Sequence, residues 1–93
     1  MAVQRLWDAL SRARAEDFRH EIAELEDAVF QWHLPMARTL AERVRCETAA
    51  ERLAAERAAE LGLAHAVLEW RQPTGGGFRR FARASVLRQL LNR

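Results

Sequence analysis

Apolar residues recur along this chain at helical intervals. Val3, Leu6, Trp7 and Leu10 form one series, and Phe18, Ile22, Leu25, Val29 and Trp32 form a second in steps of four, three, four and three. Such spacing gathers each series on one side of a 3.6-residue helix and predicts amphipathic elements. The small and charged residues from Ser11 to Asp17 fit either a turn or the exposed side of one long helix. At His33–Pro35 the proline has no backbone N–H and crowds the preceding turn, which predicts a kink or a fresh helix start. Met36, Leu40 and Val44, with Ala37 and Ala41 beside them, then keep the helical spacing.

The series breaks near Cys46. Thr48 followed by Glu51 has the form of a capping box, in which side chains satisfy the unpaired N–H groups of a new helix. That helix is expected to run to about Trp70, with Leu53, Leu61, Val67 and Leu68 among its buried positions. Gly62 lies inside it, where glycine costs about 1 kcal/mol relative to alanine; a close helix crossing would account for it. Pro73-Thr74-Gly75-Gly76-Gly77 is a loop by composition. A last helix is expected over about Phe78 to Leu91, with Phe78, Phe81, Ala82, Val86, Leu87, Leu90 and Leu91 available for packing. The expected fold is all-α, a compact bundle of three to four helices in one domain. It comprises an N-terminal helical segment, 1–32, and the remainder, 33–93.

Composition supports this. Apolar residues make up 49% of the 93, and alanine, leucine, glutamate and arginine, all good helix formers, dominate. Every one of the fifteen basic residues is arginine, which fits a compositional bias better than a choice of arginine for its phosphate-binding fork. The net charge of +2 conceals an asymmetry. Residues 1–34 hold four arginines and seven acids, residues 35–70 five and six, and residues 71–93 six arginines with no acid. A wholly basic end on an otherwise acidic chain points to a polyanion there. The single Cys46 fits a reducing compartment, and neither a signal peptide nor a stretch of about 20 apolar residues is present. A soluble, cytoplasmic protein is expected.

Candidate chemistry is sparse. His20, His33, His65 and Cys46 are scattered without the spacing a metal site requires, so no metal or cofactor is expected and each histidine reads as a surface or core-edge residue. Ser11 and Ser85 have no nucleophile motif around them, and Gly75–Gly77 is neither preceded by a strand nor followed by a lysine. No catalytic constellation emerges. What remains is Phe78-Arg79-Arg80-Phe81-Ala82-Arg83, with Arg88 beyond it. Its arginines suit phosphates, and Phe81 either packs inward or offers a ring to an unstacked base.

From His33 onward these features also resemble a known family. His33-Leu34-Pro35-Met36-Ala37-Arg38-Thr39-Leu40-Ala41, then Leu61-Gly62-Leu63-Ala64-His65-Ala66-Val67 and Trp70, then Gly75-Gly76-Gly77-Phe78-Arg79-Arg80-Phe81-Ala82 are similar to the successive helices of region 2 in the sigma-70 family of transcription initiation factors. The resemblance covers about two-thirds of the chain. It implies a helical domain that docks on the clamp helices of the RNA polymerase core and opens the −10 promoter element. It also implies that Phe81 stacks on a flipped base, with Trp70 and Phe78 as core aromatics; Arg79, Arg80, Arg83 and Arg88, read from the basic segment itself, are the expected phosphate contacts. A companion sigma half or an anti-sigma protein is a further implied partner.

Three departures stand against it. Ala54, Arg57, Ala58 and Glu60 occupy the positions where the family carries its polymerase-contacting Asp-x-x-Gln-Glu pattern and following Asn. Ala84 and Ser85 stand where many members have paired tryptophans. The residues up to Arg93 hold no second helix-turn-helix domain, so the expectation is half of a split factor or a piece of a longer one. The competing expectation is a degenerate sigma-like helical adaptor working through protein–protein contacts.

Overall fold

The computed structural model describes residues 2–72 and 75–93, and these form four helices: α1 (Ala2–Glu16), α2 (Arg19–Glu42), α3 (Ala49–Glu69) and α4 (Phe78–Leu91). Pro73 and Thr74, expected as part of the loop, lie outside the described residues. The bundle is elongated, 47 × 23 × 21 Å, with α3 packed against α2 and α4, and α1 laid along α2.

The α1–α2 question resolves as a break. Asp17 adopts a left-handed φ of 56°, Phe18 N donates to Ala13 O at 3.0 Å, and Asp17 N donates to Arg14 O at 3.3 Å. This is the Schellman closure of a helix end, normally built on glycine but open to aspartate. Residues Ser11 to Glu16 remain helical. The reversal leaves Phe18 half exposed, outside the stripe to which its spacing had assigned it.

Pro35 does not start a new helix; α2 runs unbroken from Arg19 to Glu42, and the boundary expected at 32/33 falls inside it. Interior proline costs about 3 kcal/mol, yet α2 buries Val29, His33, Leu34, Met36, Ala37, Leu40 and Ala41, which outweighs that penalty. Gln31 and Pro35 face solvent, so the carbonyl that loses its N–H partner can be hydrated. Thr39 Oγ1 donates to Pro35 O at 2.9 Å.

α3 starts as expected, with the Thr48 side chain accepting from Glu51 N at 3.0 Å; the Glu51 carboxylate accepts in return from Glu47 N, also at 3.0 Å. Its buried side is a different matter. Leu53, Leu61 and Leu68 are 46–51% exposed, and the interior is lined instead by Ala55, Ala58, Ala59, Gly62, Leu63, Ala66 and Val67. The cause is the crossing with α4. A Cβ on Gly62 would lie 2.7 Å from Val86 Cα and 2.8 Å from Ser85 O, so backbone meets backbone and only small residues fit between. Ser85 Oγ closes the contact by donating to Gly62 O at 2.7 Å.

Two arginines tie helix ends to the bundle. Arg52 donates to Ala41 O and Val44 O at the end of α2. Arg14 donates to Val67 O (2.9 Å) and Trp70 O (2.8 Å) at the end of α3 and pairs with Glu26 at 3.0 Å, with 14% of its side chain exposed. Helix ends leave carbonyls unpaired, and a cation there also meets the negative end of the helix dipole. Arg14→Met keeps the aliphatic packing but leaves those acceptors and Glu26 without their partner. A loss of about 2 kcal/mol is expected by urea denaturation; a change below about 0.5 kcal/mol would show the clamp to be inert.

Candidate nucleic-acid interface

The last helix begins where the chain is sterically constrained to begin. Gly77 caps it at φ 85°, and a Cβ on Gly75 would lie 2.3 Å from Trp7 Cδ1, so the ring of α1 lies directly on the loop backbone. Beneath sits an aromatic cluster. Phe78 is buried, with its ring centroid 4.7 Å from Trp7, 4.8 Å from His33 and 5.8 Å from Trp70. Phe78 is thus a core aromatic, and Trp70 is half-buried at the cluster's edge. Phe81 is half-buried too, its ring tilted at 49° against Trp70 with centroids 5.2 Å apart. One side of Phe81 is therefore held by protein while part of the residue remains accessible.

Arg79, Arg80, Arg83 and Arg88 are all exposed, and none forms an ion pair among the described residues. The helix separates them. Arg79 and Arg83, four apart, share one side, Arg80 is directed further outward, and Arg88 lies seven residues from Phe81 on the other flank. Arg79 and Arg83 line a groove of about 320 Å³ between α2 and α4, together with Trp32, Thr39, Arg43, Pro35, Met36 and Leu40. Three guanidinium groups and a half-exposed indole thus meet across two helices.

Sequence reasoning missed Trp32 and Arg43. Trp32 falls by spacing in the apolar series of Phe18 to Val29, and Arg43 belongs to a segment of nearly balanced charge. The available signal was the end of the apolar series at Trp32 just before an exposed proline.

The start of α4 is electrostatically unusual. No side chain caps it, its first turn contains no acid, and Arg79 and Arg80 stand there. Cations at a helix N-terminus oppose the helix dipole, at roughly 0.3–1 kcal/mol each. An external anion would relieve both charges.

His33 lies under this surface, buried against Phe78, and its Nδ1 donates to Val29 O at 2.9 Å. Burial lowers its pKa below 6.5; the bond to Val29 opposes the shift, and the Arg79 charge adds to it. With the folded-state value depressed, the unfolded chain takes up the proton first. The His33 contribution is complete above pH 6.5 and is lost as pH falls from there through the folded-state value. Urea midpoints should therefore drop as pH falls below about 6.5, and the drop should flatten in His33→Asn. An unaltered pH slope in that variant would assign the dependence to other groups.

No group of three or more His, Cys, Asp or Glu side chains among the described residues could hold a metal ion, and no described helix is long and apolar enough to cross a membrane. No protein-family model, curated protein or solved structure matches this chain.

Proposed function

We propose that this protein binds single-stranded nucleic acid across α4, from the α2–α4 groove to its Phe81 flank, as a component of transcription initiation resembling sigma region 2. In this reading Arg43, Arg79 and Arg83 hold phosphates, Arg80 and Arg88 extend the basic track, and Phe81 and Trp32 offer rings to unstacked bases. Binding that combines a cationic groove with aromatic platforms suits melted strands, because a base leaving the duplex loses stacking that a side-chain ring replaces. The observation that carries the reading is the groove itself: three arginines without an ion pair among the described residues line it beside an exposed tryptophan. The partner strand would be promoter DNA of the −10 type, and the second partner the clamp helices of RNA polymerase core. A companion sigma half would supply recognition further upstream. The proposal assigns binding and no catalytic step.

Fluorescence anisotropy with a short labelled single strand tests it. Trp32→Ala and Phe81→Ala are each expected to weaken binding at fixed ionic strength by about 1–3 kcal/mol, the usual worth of one base–aromatic stack. If both variants bind like the parent, the stacking role fails. Capture of polymerase core by the protein tests the transcriptional part separately.

One observation favours a second reading, an adaptor acting through protein contacts. The exposed Leu53 and Leu61 of α3 flank the stretch, Ala54 to Glu60, where the resembled family carries polar polymerase contacts. Retention of polymerase core would favour the first reading. Its failure, with no DNA binding, would favour the second.

A further inference from the structure

We propose that α3 pairs with α3 of a second copy, antiparallel, across its leucine face. α3 is apolar on both sides. Its alanine side is used by α2 and α4, yet Leu53, Leu61 and Leu68 remain 46–51% exposed on the outer side. They fall in one stripe with Ala64 and Arg57, about 22 Å long at 1.5 Å per residue. Leu68 continues into a shallow groove it lines with Phe30, Ala64 and Val67. Three large apolar side chains in one stripe, on a helix whose inner side is already filled, form a surface suited to a protein partner.

The stripe is complementary to itself. With a twofold axis between residues 60 and 61, Leu53 comes opposite the partner's Leu68 at both ends, and the two copies of Leu61 flank the axis. Arg57 then lies over the partner's Ala64, within reach of the partner's Glu60, and this pair occurs twice. Neither Arg57 nor Glu60 forms an ion pair within one copy among the described residues. A parallel arrangement would set Arg57 against its own copy, whereas the antiparallel one matches opposite charges and also opposes the two helix dipoles. Three leucines on one helix make a smaller contact than the roughly 800 Å² per partner of a standard stable interface, so the dimer is reversible.

This pairing does not depend on the nucleic-acid reading, because the outer side of α3 faces away from α4, which packs at Gly62. It covers the leucines that the adaptor reading gives to a protein partner and leaves the basic groove open.

Sedimentation of the full chain from about 1 to about 300 µM tests it by mass action. The parent is expected to rise from monomer to dimer mass and stop there. Leu61→Asp, at an exposed position, should raise the dissociation constant at least tenfold. Arg57→Glu and Glu60→Arg should each do likewise, since each leaves like charges facing. An equal mixture of those two variants should recover the dimer, because positions 57 and 60 then present opposite charges to each other at both sites. A parent monomeric throughout, a Leu61→Asp variant that still pairs, or a mixture that stays monomeric would each overturn the proposal.

Discussion

Gly62→Ala is expected to destabilise the protein by about 2–4 kcal/mol, even though helix propensity alone favours alanine by about 1 kcal/mol. The sign is decided at the α3–α4 crossing. The added methyl would lie 2.7 Å from Val86 Cα, 2.8 Å from Ser85 O and 3.0 Å from Val86 N, all backbone atoms that no rotamer change can move aside. α4 must shift as a body, which strains the 2.7 Å bond from Ser85 Oγ to Gly62 O and loosens Val86 and Ala82, both fully buried. With total stability for a domain of this kind on the order of 5–15 kcal/mol, the loss is a sizeable fraction. Urea denaturation reads it directly. A variant as stable as the parent, or more so, would mean the helices do not approach this closely.

Replacing Arg43, Arg79 and Arg83 together by alanine is expected to lower single-strand affinity about 100-fold near 0.1 M salt. It should also flatten the slope of log affinity against log salt by about 2, at roughly 0.7 per phosphate contact on a single strand. Folding should hold, because all three side chains are exposed and Arg79 opposes the dipole of its own helix. Melting temperature is therefore a control, expected to stay level or rise. An unchanged salt slope would remove this groove from the binding surface, whatever happened to affinity. Arg88→Ala, on the other flank of α4, should change the slope by no more than one contact's worth.

Much of the architecture was legible in local chemistry. Helix content followed from composition. The Thr48–Glu51 cap and the extent of α4 followed from short-range patterns, because a cap is a bond between residues three apart. The close approach at Gly62 could be anticipated because glycine inside a helix calls for a steric cause. Two local signals pointed the wrong way or were silent. Pro35 carries a strong intrinsic bias against helix, yet the burial along α2 overrides it. The α1–α2 break lacks the usual glycine, and aspartate in a left-handed conformation leaves little trace in sequence. For the candidate interface, Phe81 and the arginines of α4 were visible as a charge run. Trp32 and Arg43 were not, because they lie more than thirty residues away and reach the groove only through the packing of α2 on α4.

The sequence by itself determined that the chain is helical, where the last two helices begin and end, and that positive charge gathers at one end. Those properties arise from neighbouring residues and need no knowledge of what packs on what. Only the tertiary structure decided which side of α3 is inside. Periodicity cannot choose between two apolar sides; the contact distance chose, since helices that meet backbone to backbone accept glycine and alanine and leave leucine outside. The same packing turned Trp32 outward beside Arg79 and Arg83, converting a charge pattern into a groove.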